Sequence, residues 1–439
     1  MLALDSIYLN NFRGISDAVL TPCPVNFLVG ENSTGKTSVL GALKLLGSPD
    51  FLYNTDFNGG DYEFGGYRDI VSVDAANKSE FQLGLYKQDT DQPKRAACYM
   101  LHFREGKDGL AKLVRFSQLC GQHVVTLRLA PNAVSAYGTK DVPECFSALD
   151  LPRCFEYLRT LPSTVRGGYK EISGDISRFV RNNPVASFSN VLSKLFPENE
   201  LEENENTVFP FPLITQRLAS LAPIRTKPKR TYDGFAQKYS PEGDHTPYLI
   251  RSKVGRKKDR SSLRASLETF GRDSGLFSTV GVSQYGRDSS APFELRVGLS
   301  NWSPLRINCV GYGVSQVLPV VVELLARADD TWFMVQQPEV HLHPRAQAAL
   351  GDVFFQAAHA HKKVLFIETH SDFMIDRFRL NYGPSKPRAD FAQILFFERT
   401  GGGNKLTTIK ILSDGEYPED QAAQFRSFFL EEQRKLLGF

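Results

Sequence analysis

Residues 30–37 read GENSTGKT, a residue-for-residue fit to G-x-x-x-x-G-K-[ST], and this string dictates its own surroundings. It needs an apolar strand before it and a helix after it. Successive backbone N–H groups must curl around a phosphate, and the helix N-terminus adds its positive dipole end. Both flanks are present: residues 25–29 (VNFLV) are apolar, and residues 38–46 are amphipathic. Gly30, Asn32, Ser33, Thr34, Gly35, Lys36, Thr37 and Ser38 are therefore the candidate nucleotide contacts. Lys36 is placed for the β and γ oxygens, and the Thr37 hydroxyl for Mg²⁺. The alternative is a glycine turn with a solvated lysine. Upstream, Asn11-Phe12-Arg13-Gly14 sets an arginine before a tight turn, where it either reaches back to the phosphates or decorates a surface hairpin.

At 439 residues the chain is too long for one minimal domain, and 41% hydrophobic with 23% charged residues is ordinary globular composition. Disorder, collagen and a disulfide-stapled miniprotein are excluded. No apolar run reaches the length of a membrane span; the longest candidate, residues 317–326, contains Pro319 and Glu323. The first residues, MLALDSIYLNNF, have neither a basic nor an apolar signal region, and the six cysteines (23, 98, 120, 145, 154, 309) form no C-x-x-C pair. A reducing cytoplasm is the expected setting. The net charge of +3 says nothing about nucleic acid. Residues 225–264, however, hold twelve Lys/Arg against four Asp/Glu. Their densest part, 251–264, either lines a nucleic-acid path or forms a solvated loop, the commoner fate of a charge run.

Strand-like segments continue through 70–73, 81–86 and 124–129, as an antiparallel layer beside the nucleotide site. Helical patterns follow at 154–158, 176–180 and 191–195, and the acidic run 198–206 (ENELEENEN) reads as a solvated loop. From about 290 the pattern is α/β again, with buried-looking strands at 332–335 and 364–367.

In phosphate-loop enzymes the neighbouring strand ends in carboxylates that hold Mg²⁺ and orient water. Here TWFMVQQPEVHLHP (331–344) puts Gln336 and Gln337 at those positions. An amide is a weak Mg²⁺ ligand and no base. Glu339, past Pro338, is expected to point toward a subunit seam. His341 and His343 fit a structural turn better than a metal pair. His370, in ETHS (368–371), is placed to touch a γ-phosphate or polarise water, or else is a strand-end core histidine. Residues 310–319 (VGYGVSQVLP) open a helix with exposed N–H groups, a second anion-binding surface or a plain glycine-rich helix start.

Taken together, GENSTGKT, the Gly311–Gln316 segment, QQPEVHLHP and ETHS resemble ABC-type ATPase heads in order and context, and are most similar to RecF/SMC-like ATPases related to the OLD proteins, which include ATPase subunits of anti-phage systems such as Septu and PARIS. NNFRGI, GGYRDIV (65–71), LAPIRTKPKRTY (221–232) and DGEYPED (414–420) extend the resemblance. It implies an α/β fold: a split ABC-type head, a phosphate-loop sheet plus an antiparallel β layer, with an inserted helical subdomain. The implied boundaries are an N-terminal lobe at 1–139, a helical insertion at 140–220, a basic connection at 221–290 and a C-terminal lobe at 291–439. It further implies ATP and Mg²⁺ as cofactors, head-to-tail self-association, and Gly313 and Ser315 on the partner's γ-phosphate. His370 becomes the switch histidine, and Thr37 with Gln336 the Mg²⁺ ligands. The family carries Glu at 336. Gln336 then signals either a naturally weak ATPase or a deliberate Glu→Gln change that retains ATP. No nuclease-type carboxylate cluster follows His370, so DNA cleavage would fall to a partner. The leading expectation is an ATPase switch controlling an effector, a nuclease or toxin, in anti-phage defence. The alternatives are a RecF-like DNA-repair ATPase and a non-hydrolysing ATP-bound scaffold.

Overall fold

The computed structural model describes residues 6–59, 62–75, 77–88, 96–120, 123–140, 150–164, 168–172, 217–233, 237–254, 262–288, 290–299, 303–385 and 390–419, together with positions 180, 183, 185, 191, 235, 387 and 388. The helical patterns at 176–180 and 191–195, the acidic run and the basic residues 255–261 lie largely or wholly outside them, as does any helix after residue 419.

Short elements apart, the strands in chain order are β1 (Ser6–Phe12), β2 (Ile15–Leu20), β3 (Val25–Gly30), β4 (Phe81–Gln88), β5 (Ala96–Glu105), β6 (Ala111–Cys120), β7 (His123–Leu129), β8 (Val134–Thr139) and β9 (Lys170–Ile172). They continue as β10 (Leu218–Leu221), β11 (Thr279–Gln284), β12 (Phe293–Gly298), β13 (Trp332–Gln336), β14 (Val364–Glu368), β15 (Ala392–Thr400) and β16 (Gly403–Ile411). The helices are α1 (Lys36–Leu46), α2 (Tyr67–Ile70), α3 (Leu151–Thr164), α4 (Thr246–Val254), α5 (Ser262–Ser274), α6 (Tyr312–Ala326), α7 (Pro344–His359) and α8 (Asp372–Leu380). The expected strand at 70–73 is instead the end of α2 followed by a single bridge from Val71 to Phe12. Asp69, whose carboxylate accepts the Gly66 N–H at 2.8 Å while its own N–H donates to the Gly66 carbonyl, favours the helical turn over extension.

The chain divides into two compact units that interleave: Met1–Pro22, Glu31–Thr215 and Phe397–Leu406 form one, and Cys23–Gly30, Gln216–Phe396 and Thr407–Phe439 the other. In the first, β2, β1, β4, β5, β6, β7, β8 and β9 lie side by side in that order, every pair antiparallel. The first eight residues of β5 are buried without alternation, so both faces of the sheet are covered. On one face α3 stacks Phe155 on Tyr8, with centroids 4.9 Å apart. Phe12, Phe57, Phe64, Phe81 and Phe103 form a second aromatic cluster.

In the second unit β3, β14, β13 and β10 are parallel neighbours. Their sequences are near-continuous apolar runs because α6, α7 and α8 share one buried core with them. Register pairs Gln336 with Glu368 and Glu368 with Leu28. The carboxyl ends of β13, β14 and β3 therefore align along one sheet edge, where open α/β sheets bind ligands. No helix among the described residues is long and apolar enough to cross a membrane.

Candidate functional site

Within the first unit, the loop after Gly30 has the backbone shape that anion binding demands. Ser33 has φ 62° and Gly35 φ 99°, and such alternation turns consecutive N–H groups to the inside of the curve. Gly35 is favoured for two reasons: its φ is left-handed, and an added Cβ would press on Ile15 Cγ1 at 3.2 Å. Thr34 is fully buried and donates its hydroxyl to the Glu31 carbonyl at 2.7 Å. Lys36 is only 3% exposed, with its Nζ donating to the same carbonyl at 2.6 Å. The ammonium thus lies across the mouth of the loop rather than in solvent, which removes the solvated-lysine alternative. Asn32, Ser33 and Thr37 are exposed, and Ser38 is half-buried. No acidic residue stands in the first turn of α1, so nothing there competes with an anion for the dipole end. Arg399 Nη2 donates to the Ser33 carbonyl at 3.3 Å and steadies the loop from outside.

Arg13 and Gly14 form a two-residue turn between β1 and β2, with φ 47° and 86°. Arg13 is exposed, and its guanidinium lies over the Phe64 ring, 5.4 Å from the centroid. The Gly14 carbonyl accepts from the backbone of Asn404 at 2.8 Å, and the Asn404 side chain fills the space between Gly14 and Gly35.

Within the second unit, Gln336 ends β13 half-buried, and Gln337 takes φ 41° as its N–H donates to the Glu368 carbonyl at 2.8 Å. A left-handed non-glycine residue at this point is a strained position. Arg225, 2% exposed, donates Nη2 to the Gln336 carbonyl at 3.0 Å, while its Nε and Nη1 have no hydrogen-bond partner among the described residues. Burial pulls its pKa down to about 10, against the opposing pull of Glu339. Glu339 departs from expectation. It does not point outward to a seam; its Oε1 accepts the His370 N–H at 2.7 Å and its Oε2 is buried. Burial pushes its carboxyl above the usual range, the His370 N–H opposing.

His370 is exposed, which leaves the core-histidine alternative without burial. Its backbone is fixed on both sides. Thr369 N–H donates to Leu28 O at 3.1 Å, and the Ser371 hydroxyl caps α8 and donates to Gln347 Oε1 at 2.7 Å. The two other histidines are structural. His343 caps α7, with Nδ1 accepting the Ala346 N–H at 3.4 Å, and His341 packs edge-on against Tyr312. Glu368, 6% exposed at the end of β14, is a carboxylate the sequence reading passed over. Arg225 was visible only as part of a longer string; a basic residue inside an otherwise apolar approach to a turn was its signal.

The opening of α6 is built by packing. A Cβ on Gly313 would lie 2.9 Å from the His341 carbonyl, so glycine lets the helix close against the 338–341 turn. Ser315 is 6% exposed and donates its hydroxyl to Tyr312 O at 2.7 Å, so reaching a phosphate means exchanging that bond. Gly311, the N-cap, has open space around it.

The loop N–H groups, Lys36 and an acid-free helix start fit a nucleotide triphosphate. For Mg²⁺ the first unit offers the Thr37 hydroxyl, a weak donor. Set against known proteins, the chain is 33% identical over 69 residues to the DNA replication and repair protein RecF of Idiomarina loihiensis, a match spanning 16% of this chain and only 17% of that relative's length. Among solved structures, an Smc head bound to the C-winged helix domain of ScpA aligns with 10% identity and a TM-score of 0.43, covering 94% of this chain and 98% of that one. The SMC head domain from Thermotoga maritima aligns with 8% identity and a TM-score of 0.39, covering 93% and 98%. A Pyrococcus furiosus Smc head with an extended coiled coil, bound to the C-terminal domain of ScpA, aligns with 11% identity and a TM-score of 0.37, covering 98% and 99%. Scores of that size carry no argument. The family model for the AAA ATPase domain, by contrast, matches residues 3–92 and 166–375, more than half of the chain, and the chain belongs to that family.

Proposed function

We propose that the chain binds ATP with Mg²⁺ at the 30–38 loop and hydrolyses it slowly. The observation that carries this reading is the pairing of a fully formed phosphate loop, Lys36 drawn across its mouth, with amides rather than carboxylates at 336 and 337. When bound, Mg²⁺ would supply charge neutralisation at the phosphates. The Thr37 hydroxyl, next to Lys36 in the loop, is the side chain to hold it. Lys36 fixes the β/γ oxygens, and the loop N–H groups fix the β-phosphate. Proton removal from water falls to neither glutamine, which sets the slow rate.

We further propose that two copies close head-to-tail on ATP, Gly311, Gly313 and Ser315 of one meeting the nucleotide of the other, and that this closure controls an effector in phage defence. The family resemblance supports the arrangement, and the open space at Gly311 leaves room for it. The RecF match favours DNA repair as a second reading. Light scattering with and without ATP·Mg²⁺, followed by identification of the co-purifying protein, tests the proposal. A chain that stays monomeric with ATP bound refutes the closure, and DNA-stimulated closure without a protein partner favours repair.

A further inference from the structure

Away from the phosphate loop and the β13 end, the second unit holds a partly open cleft. Its floor is apolar: Tyr232, Ile250, Leu295, Leu318 and Pro319 line it. Its rim is not. Lys227 and Lys229 stand there exposed, and among the described residues neither has a carboxylate within ion-pair reach. Thr246, 3% exposed, lines the cleft, and its hydroxyl has no hydrogen-bond partner among the described residues. A buried, unsatisfied hydroxyl costs free energy unless something meets it. Pro319 adds a further polar feature. It lies inside α6 and has no N–H to give the carbonyl of Ser315, four residues back, which also lines the cleft. Asp244, at the same wall, is the single carboxylate.

We propose that this cleft binds a small organic anion: a compact apolar body on the Tyr232–Leu318 floor, a phosphate-, sulfonate- or carboxylate-type head at Lys227 and Lys229, and a hydrogen-bond donor toward Ser315 and Thr246. The cleft lies away from the phosphate loop; it shares only Ser315 with the surface proposed to meet a partner's nucleotide, and it does not rest on that reading. An apolar floor alone would suit any greasy fragment. Two exposed ammonium groups with no carboxylate in reach among the described residues select for negative charge, as charge-assisted hydrogen bonds exceed neutral ones.

Anilinonaphthalene sulfonate carries a flat apolar body and one anionic head, and serves as the probe. Fluorescence titration of the whole chain without nucleotide should show one saturable site. Lys227→Glu with Lys229→Glu, both exposed and so compatible with an unchanged melting curve, should weaken it roughly tenfold or more. Lys36→Ala should leave it unchanged. Equal probe affinity in the rim variant overturns the proposal. Loss of the probe in Lys36→Ala also overturns it, because the probe would then occupy the phosphate loop.

Discussion

Gln336→Glu restores a carboxylate at the end of β13 and separates two consequences. The backbone contact with Arg225 uses the Gln336 carbonyl and survives the change, so the strand end keeps its place. Catalysis should gain: a positioned general base contributes about 10²–10⁴-fold, and even a tenfold gain in turnover is ~1.4 kcal/mol off the barrier. ATP affinity should hardly move, since it rests on the loop N–H groups and Lys36. Stability without metal should fall. Residue 336 is in register with Glu368, a strand spacing away, and two carboxylates about 5 Å apart repel by roughly 1–3 kcal/mol at an effective dielectric near 20 and above. A melting temperature lowered by ~2–4 °C per kcal/mol and recovered with Mg²⁺ is the expected signature. Phosphate release at saturating ATP and Mg²⁺, with melts run with and without the metal, checks both. Equal turnover in the two forms would place catalysis elsewhere. An unshifted melt would show that the two side chains do not face one another.

Lys36→Ala should abolish measurable ATP binding in a calorimetric titration, since a charge-assisted contact there is worth about 1.5–3 kcal/mol. Gly311→Arg puts a cation at the open start of α6 in a backbone conformation any residue accepts. Light scattering should show ATP-dependent association lost while ATP still binds the monomer. Glu323, fully buried between His245 at 2.6 Å and Arg327, is held below the usual carboxylate range despite burial, which opposes this, by His245 first and then Arg327. Glu323→Gln should cost about 3 kcal/mol at neutral pH in a denaturant melt. Glu294, bonded to Tyr285, Arg306 and Arg296, is pulled down to about 2. Both folded values lie below the unfolded one. Their stabilisation is therefore complete above about pH 4.5; that of Glu294 is lost as pH falls toward 2, and that of Glu323 as pH falls through its own lowered value. Glu323→Gln should show a shallower loss of stability below about pH 4.5 than the parent chain.

What was legible in the sequence is what short-range chemistry writes there. The phosphate loop needs its strand, glycines and helix within about twenty residues, and β3 and α1 lie where the motif demands. The parallel strands β13 and β14 announced themselves as apolar runs because both faces are buried. The interleaved units could not be read locally. β3 belongs to one unit while the residues on either side belong to the other, and nothing in VNFLVG says which sheet it joins. Arg225 meets Gln336 across more than a hundred residues, and Asn404 reaches Gly14 across nearly four hundred, so their roles are long-range facts.

Glu339 shows how the missing information matters. Placed past Pro338, it read as an outward carboxylate. The left-handed turn at Gln337 instead swings the segment so that Glu339 meets the His370 backbone, with Arg225 behind it. One buried arginine and one buried carboxylate thus hold the turn after β13 and the loop after β14, the two loops that carry Gln337 and His370. A chain without a carboxylate at 336 still needs those loops fixed before any nucleotide arrives. The Arg225–Gln336 and Glu339–His370 bonds fix them through backbone atoms, independently of which side chain occupies position 336. For that reason an amide at 336 changes the chemistry available at this edge without changing its shape.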